Sequence, residues 1–467
     1  MCARKYLNSV MALCASTLLL ACQELNISDL KQKPASIMKV VKGSVQSVVP
    51  KSNSAERIGG LSLGAIVDGS LATEALGSDF NEVMKTALVK DPVIISARRN
   101  ADAKFSAIQS AKAQKDFQVS STVYGGIEDI TDNTKGVAVA LNASRLVFDG
   151  GALDAQIEAA KFQAESSKLK FVVTVNERAL KLGELWVELE KYDMLQQKID
   201  ERLAILDPLI AQLERVADAG IGDVSKVTAA QRTVSTIRVA ETNISEGLAQ
   251  AKLNFVNAFG ALSKSASYDH AFIEKIVPSV ISDDLIQNSP LLQSHYAVYR
   301  AAVARAAGVR AKDEFSVGFE ARAMRPFAGS GYDSDESLGL VARKTLFNGG
   351  MLESEVEEAE AMVEASAEQI KATYREVERT IRTSQQNILS MDKAISLSKK
   401  NAQLTADEIV YLKQQLVIGG STLDSVLSAE ARLYDAESKE INFLAEKRKS
   451  QLAIATALGM LSVAVGF

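Results

Sequence analysis

One short pattern occurs twice in the chain at a fixed distance. Residues 144–153 read SRLVFDGGAL and residues 343–352 read RKTLFNGGML, so each residue of the first run has its counterpart 199 positions later. In both runs a strand-like stretch leads through a double glycine into a helix start. Because 199 residues is close to half of the 467-residue chain, the pattern indicates an internal duplication. The paired junction residues are Phe148, Gly150 and Gly151, and Phe347, Gly349 and Gly350.

Each repeat also contains two runs in which apolar and polar residues alternate. A period of two is typical of strands with one apolar face. Polar, turn-rich segments separate the two runs, so we predict one β-hairpin at 117–148 and a second at 315–347. The alternating apolar residues are Phe117, Val119, Val123, Val137, Val139 and Leu141 in the first repeat, and Phe315, Val317, Phe319, Ala321, Leu338, Leu340 and Ala342 in the second.

A long helical pattern follows each double glycine. The residues that would face a partner helix form a seam from Tyr374 to Leu416, in which successive members lie alternately three and four residues apart. The same seam appears 199 residues earlier. A strict heptad predicts a left-handed coiled coil. The predicted helices, Ala152 to Ala217 and Met351 to Leu416, would each be roughly 100 Å long at 1.5 Å per residue. Pro208 lies inside the first and is expected to kink it.

Both long helices are predicted to end at glycine, the usual residue at this position. Gly220 and Gly419 are again 199 residues apart. Returning helices then run from Val224 to about Leu262 and from Leu423 to about Leu461. Each repeat therefore reads as helix, β-hairpin, long helix, tight turn and returning helix.

The predicted fold is mainly α with a small β part, built from two helical coiled-coil hairpins and four strands. Its segments are a signal peptide at 1–21, a linker at 22–78, a first repeat at 79–262, a connecting segment at 263–284, a second repeat at 285–462 and a tail at 463–467.

The N-terminus has the features of an export signal. Arg4 and Lys5 precede an apolar run, Val10 to Ala21, that is too short to span a bilayer. The run ends in Leu-Leu-Ala-Cys, which resembles a bacterial lipobox and would make Cys22 a lipidated first residue. The alternative is an ordinary signal peptide with a chance cysteine. Cys2 and Cys14 lie within the removed peptide, so the mature chain is expected to contain no disulfide.

Four strands cannot form a channel alone, because the backbone groups of an open edge would be unsatisfied in lipid. A barrel of eight strands is largely filled by its own side chains and leaves little lumen. Three chains with four strands each would supply twelve strands. We therefore expect a trimeric 12-stranded outer-membrane β-barrel with its apolar faces towards lipid. The alternative is a soluble sandwich attached to a coiled coil. The polar residues expected to line the lumen are Ser120, Thr122, Asn142, Glu320, Arg322 and Arg343, of which Glu320 and Arg322 would either tune its charge or pair with each other.

The duplicated halves, the junction motifs LVFDGG and TLFNGG and the turn motifs AGIGDV and IGGSTLDSVLSAEARLYDAE together resemble the TolC family of outer-membrane efflux and secretion ducts. The resemblance covers about residues 79–462. It implies a homotrimer whose helices form a periplasmic tunnel, which docks with a periplasmic adaptor (membrane fusion) protein and an inner-membrane pump or ABC exporter. Phe148 and Phe347, at the strand ends, are candidate anchors at the membrane interface.

The resemblance also suggests roles for the two turns. In the family the corresponding turns lie at the periplasmic tip and contact the adaptor; the alternative is that these glycines only end helices. The matching residues are Gly220, Ile221, Gly222, Ile418, Gly419 and Gly420. Some members close the tip with aspartates just after the second turn, but Ser425 and Ser428 occupy those positions here. Asp424 is one residue away and would equally suit stabilisation of a helix N-terminus.

No signature of an enzyme, cofactor site or metal site occurs. The two histidines, His270 and His295, have no ligand spacing, and the net charge of −5 makes nucleic acid an unexpected partner. The resemblance to the TolC family then implies a passive channel, for a tripartite efflux pump or for type I secretion. The alternatives are a lipid-anchored structural coiled coil without a pore and, less suited to two equal hairpins, a periplasmic adaptor.

Overall fold

The computed structural model describes residues 80–129, 134–220, 224–261, 273, 276–278, 280–327 and 333–466. The predicted signal peptide, linker and Cys22 lie outside these ranges, as does most of 263–284. The elements of the first repeat are α1 (Phe80–Lys90), α2 (Pro92–Ala113), β1 (Gln118–Asp129), β2 (Thr134–Phe148), α3 (Ala152–Asp218) and α4 (Val224–Phe259). Those of the second are α5 (Asp283–Gln287), α6 (Pro290–Ala311), β3 (Ser316–Pro326), β4 (Asp335–Arg343), α7 (Met351–Val417), α8 (Leu423–Ala457) and α9 (Met460–Ala464). The predicted fold class, mainly helical with a small antiparallel sheet, is confirmed.

The helix that precedes each hairpin begins in the same way in both repeats. Asp91 accepts a hydrogen bond from the backbone N–H of Val93 at 2.8 Å, and Pro92 occupies the first helical turn of α2. In the second repeat Ser289 caps α6, which begins at Pro290. A side-chain cap followed by proline is a favourable helix start, because proline lacks the N–H that would otherwise be unsatisfied there.

The four strands form one antiparallel sheet in the order β1-β2-β3-β4. Each predicted hairpin is present, and β2 additionally pairs with β3, which joins the two repeats. Within the described residues, β1 and β4 have a neighbour on one side only. The sheet of a single chain therefore has two open edges.

The two long helices are each 67 residues long. The helix α3 continues through Pro208, and a kink at this residue stays a prediction. Along α7 almost every buried side chain lies on the predicted heptad seam. These seam residues are Val377, Ile381, Ser384, Ser398, Thr405 and Ile409.

The returning helices end earlier than predicted from the sequence. The helix α4 ends at Phe259 rather than near Leu262, and α8 ends at Ala457 rather than near Leu461. Gly260 and Gly459, again 199 residues apart, have φ of 86° and 73°. These left-handed conformations stop a helix and are accessible to glycine at little cost.

The helix α3 is the centre of the packing, with α2, α4, α6 and α8 around it. At its middle Trp186 makes edge contacts with the rings of Phe80, Phe255 and Phe259, at centroid distances of 4.9, 5.3 and 5.8 Å. Because helices surround α3, it buries side chains on several faces, whereas α7 packs mainly against α6 and α8 and buries mainly its seam.

Candidate functional site: a two-faced sheet and two helical tips

The register of the sheet brings the predicted apolar residues to one face. Phe319 pairs with Leu340 and with Arg145, and Val119 pairs with Ala143, so the alternating apolar residues of all four strands point the same way. Leu338 and Leu340 are 73% and 70% exposed. An exposed apolar face of this kind suits a lipid environment rather than water.

Charged groups lie at both ends of this apolar face. Arg145 lies over the ring of Phe117 at one end, and Arg325 pairs with Glu336 at the other. Arg145 pairs in register with Phe319, six residues before Arg325. At about 3.4 Å per residue the apolar face therefore extends about 20 Å along the strands, which at the roughly 40° tilt of barrel strands corresponds to a band about 16 Å tall.

The opposite face of the sheet is mainly polar. Ala138 and Ala140 lie on this face and are fully buried, with β1 paired on one side of them and β3 on the other. On this face Glu320 accepts hydrogen bonds from both terminal nitrogens of Arg343. Arg322 lies 3.8 Å from Asp335 and its guanidinium carbon lies 6.0 Å from the centroid of the Tyr124 ring.

This arrangement corrects one alternative from the sequence. Glu320 pairs with Arg343, not with Arg322. Residues two apart on a strand project side by side in the same direction, whereas the side chain of Arg343 reaches Glu320 across from the adjacent strand β4. The polar face therefore carries equal numbers of acidic and basic groups in these two pairs.

The first junction between strand and helix is held by Asp149. Its carboxylate accepts hydrogen bonds from the N–H groups of Gly151 and Leu153 at 3.0 and 2.7 Å, which caps α3. Gly150 has φ of 67°, and a Cβ there would lie 2.6 Å from the Cβ of Glu314. Glycine is thus required at this position both by its backbone conformation and by the close approach of the second repeat.

The second junction differs from the first despite its matching sequence. Gly349 and Gly350 also have positive φ, but α7 has no side-chain cap. The strand β4 ends at Arg343, and Phe347 lies outside it, 88% exposed. Phe148 belongs to β2 and packs against Phe315 at 5.1 Å between centroids. The position of β4 at the open edge of the sheet explains the difference, since no strand of this chain lies beside the segment that follows it.

At the far end of the second helical hairpin the turn is closed by glycine. The N–H groups of Gly419 and Gly420 donate to the carbonyls of Leu416 and Gln415 at 3.3 and 2.8 Å, which is the Schellman arrangement. Ile418 is 81% exposed at this turn. In the first hairpin Gly220 likewise has positive φ, while Ile221 and Gly222 lie outside the described residues.

The three candidate residues for closing the tip begin the helix α8. Thr422 accepts a hydrogen bond from the N–H of Ser425 at 3.3 Å, and the two hydroxyls lie 2.8 Å apart, so the Ser425 side chain takes part in the helix cap. Asp424 lies in the first turn, where its charge is favourable to the helix dipole. Ser428, one turn further on, is half-buried. A role of these residues in closing the tip stays a prediction.

A buried charge cluster near this tip was not found from the sequence. Glu430 of α8 is bound by Arg202 of α3 and by Lys413 of α7, the latter at 2.8 Å, and Arg202 also donates to Glu437 at 2.9 Å. A second buried pair, Glu190 with Arg448, joins α3 to α8 further from the tip. No local pattern in the sequence reveals such pairs, because the partners lie in different repeats.

Among the residues that the structure describes, no group of His, Cys, Asp and Glu is arranged to hold a metal ion. In the same part of the chain, no helix combines the length and hydropathy needed to cross a bilayer.

A four-stranded sheet with one apolar and one polar face, set on long paired helices, is the fold that outer-membrane channel protomers have. Residues 281–460 match the sequence model of the outer membrane efflux protein family. The resemblance to the TolC family is thereby confirmed. The members of this class are passive channels, not enzymes.

Solved structures share the fold over most of the chain. CusC superposes with a TM-score of 0.70 at 16% identity, covering 80% of this chain and 91% of CusC. VceC of Vibrio cholerae gives 0.69 at 18% identity, covering 81% and 95%. CmeC of Campylobacter jejuni, an outer membrane channel, gives 0.69 at 12% identity, covering 83% and 90%. No curated protein matches the chain significantly in sequence.

Proposed function

We propose that the chain is the channel subunit of a tripartite efflux system, in which three copies close a 12-stranded barrel in the outer membrane. The observation that carries this proposal is the single-chain sheet, whose two edges are open and whose faces are sharply divided between apolar and polar. An open edge is not tolerated in lipid, so the sheet needs neighbours. Pairing of β4 with β1 of a second copy, repeated around three copies, would close the strands into a ring.

The long helical hairpins would continue the barrel as a periplasmic tunnel. Their exposed turns, with Ile418 at one of them, would meet a periplasmic adaptor protein, which in turn binds an inner-membrane pump or ABC exporter. The family match, described as an efflux protein, favours efflux over type I secretion. The channel itself would be passive, and the pump would supply the energy and select the substrate.

Lipidation of Cys22 would anchor each copy to the outer membrane. The support for it is the Leu-Leu-Ala-Cys sequence after a short apolar run. Intact-mass measurement of the membrane-extracted chain tests this proposal directly. A diacylglyceryl adduct on the wild type that is absent from Cys22→Ser is expected, and an unmodified mature wild-type chain would contradict it.

Native mass spectrometry combined with single-channel recording in planar bilayers tests the channel. We expect a trimer and a stable ohmic conductance in wild-type preparations. A monomer in several mild detergents, or a trimer without conductance under all voltages and tip-opening conditions, would instead favour a lipid-anchored coiled coil without a pore.

A further inference from the structure

Four helices next to the sheet share a groove. The helices α2, α3, α6 and α7 lie side by side in this order, because α3 contacts α2 and α6, and α7 contacts α6. Side chains of the two outer helices, Lys104 of α2 and Glu358 of α7, nevertheless line one cavity of about 760 Å³. A layer of four helices can share one cavity only on its concave side. In the trimer proposed above this side would face the tunnel.

Basic side chains outnumber acidic ones in the groove. Four basic and two acidic side chains line it, so its net charge is +2. One pair is internal, since Lys312 lies 2.7 Å from Glu355. Lys104, Lys170 and Arg305 are exposed, and no carboxylate of the described residues lies within ion-pair distance of them. These three cations are therefore available to a ligand.

The levels of the three cations follow from ion pairs between neighbouring helices. Arg300 of α6 lies 3.9 Å from Glu165 of α3. Arg305 is five residues nearer the sheet than Arg300, and Lys170 is five residues further from the sheet than Glu165. At roughly 1.5 Å per residue, about 15 Å along the helix axes therefore separates Arg305 from Lys170.

Lys104 lies between these two levels. Asp91, at the start of α2, pairs with Arg178 of α3 at 2.6 Å. The two helices run antiparallel, so thirteen residues further towards the sheet Lys104 of α2 comes level with Glu165 of α3. The three cations thus follow one another at intervals of about 7–8 Å along the groove.

The two carboxylates of the groove lie at its end next to the sheet. Arg310 of α6 pairs with Glu360 of α7 at 2.6 Å. Arg305 is five residues further from the sheet than Arg310, whereas Glu355 and Glu358 are nearer to the sheet than Glu360. Among the described residues that line the groove, the stretch between the levels of Arg305 and Lys170 contains cations and no carboxylate.

The rest of the groove wall is uncharged and partly apolar. Val298, Val309 and Met362 line it together with the buried Ala301 and Ala302. An apolar wall with a few placed charged groups is the usual composition of a site for an organic molecule. The charges of this groove select a negative one.

From this arrangement we propose that the groove binds organic anions on their way through the tunnel. A carboxylate, sulfonate or phosphate group would contact one of the three cations while the apolar body of the molecule lies on the wall. Cations at successive levels would let the anionic group move from one to the next, since weak binding at several sites permits passage. The proposal rests on the channel function, and it adds to the selection made by the pump a preference for anionic cargo in the channel itself.

Binding of two matched dyes tests the groove. The trimer is placed in nanodiscs of neutral phosphatidylcholine and titrated with anilinonaphthalene sulfonate or with phenylnaphthylamine, which has the same aromatic body without the sulfonate. Empty nanodiscs give the background. We expect saturable fluorescence with the sulfonate that Lys170→Gln weakens about tenfold, as for loss of one charged contact. Combining Lys104→Gln, Lys170→Gln and Arg305→Gln should abolish it and leave phenylnaphthylamine binding unchanged.

A lysine on the other side of the same helix is the matched control. Lys161 is exposed and precedes Lys170 by nine residues, which is two and a half helical turns. Lys161→Gln should therefore bind the sulfonate like the wild type, and Lys170→Arg should retain binding because it keeps the charge. Sulfonate binding that survives in the triple variant, or an equal loss in Lys161→Gln, would overturn the groove as the site.

Single-channel recording on the same preparations separates the groove from the proposed function. The sulfonate should reduce the current of the wild type and not that of the triple variant, and an unchanged current despite saturable binding would overturn the placement in the tunnel. A conducting trimer without specific sulfonate binding would overturn the groove and leave the channel function standing. Sulfonate binding by a chain that forms no conducting trimer would overturn the channel and with it the transport role of the groove.

Discussion

Arg202 and Glu430 are 228 residues apart in the sequence and form an ion pair with both side chains buried, 8% and 1% exposed. The pair joins the first helical hairpin to the second, and Lys413 completes the bonding of the Glu430 carboxylate from within the second hairpin. Because the cluster lies about two turns above the second tip, it fixes how the two hairpins meet there.

Removal of either member of this pair should destabilise the helical part of the protein. In Glu430→Gln the buried guanidinium of Arg202 loses its main counter-charge, and changes of this kind typically cost about 3–5 kcal/mol. Denaturant unfolding followed by circular dichroism at a fixed protein concentration measures the effect.

The matched control is the exposed pair between Arg238 and Asp207. Arg238→Gln should shift the unfolding midpoint little, since exposed ion pairs contribute little to stability. Equal losses of stability in the two variants would show that burial of the Glu430 pair does not increase its contribution to stability.

Gly150 and Gly151 should differ in their tolerance of alanine although both have positive φ. A Cβ on Gly150 collides with Glu314, whereas nothing lies within 4 Å of a Cβ on Gly151. Gly150→Ala is therefore expected to reduce the yield of heat-resistant trimer strongly. Gly151→Ala should have only the strain of a left-handed alanine, on the order of 1 kcal/mol. The yields are compared by gel electrophoresis of unheated membrane extracts, and the reverse order would refute the explanation.

Much of this architecture could be predicted because it depends on local periodicity and is present twice. The strand residues around Val119 and Leu340, the heptad seam through Ile381 and the glycine at 419 are all visible in short windows of sequence. Gly260 and Gly459 likewise mark the ends of the returning helices in the sequence.

What the sequence did not reveal depends on contacts between the repeats. The pairing of β2 with β3 and the ion pair of Glu190 with Arg448 each join segments that no periodicity connects. Phe347 shows that a shared motif does not guarantee a shared structure. It matches Phe148 in sequence, but it lies outside β4 and is exposed, since no strand of this chain lies beside the segment that contains it. An identical short pattern specifies a local preference, and its neighbours decide the outcome.

The exposed turn residue Ile418 should matter for partner binding and not for folding. Ile418→Glu places a charge on an apolar tip, so the trimer and its conductance are expected to remain while co-purification of the periplasmic adaptor is lost. Val463→Glu changes a similarly exposed apolar residue on α9, far from the turn in sequence, and should leave adaptor binding intact. Loss of binding in both variants, or in neither, would remove the tip from the proposed interface.

The stability of the helical part should depend on pH through Glu184 of α3. Burial is the main cause of the raised pKa of this carboxyl; Lys449 opposes the rise and Glu446 adds to it. An acid whose pKa is raised in the folded state binds more protons folded than unfolded, so its ionisation destabilises the protein as pH rises through the folded pKa. Glu184→Gln is therefore expected to raise the melting temperature at pH 7.5.

The gain from Glu184→Gln should vanish below about pH 4, where the carboxyl is protonated in both states. The exposed Glu177 of the same helix is the control, and Glu177→Gln should shift the melting temperature much less. A gain from Glu184→Gln that persists unchanged at low pH would assign the effect to packing instead of charge.

The polar face of the sheet should set the ion preference of the channel. Glu320 and Arg343 neutralise each other on that face, so Arg343→Gln leaves an unpaired carboxylate in each copy and Glu320→Gln leaves an unpaired guanidinium. In a bilayer with a KCl gradient, the reversal potential should move towards cation preference in the first variant and towards anion preference in the second. Arg145→Gln makes the same change on the apolar face and should not alter the reversal potential. If Arg145→Gln shifts it as much as Arg343→Gln does, the polar face does not line the pore.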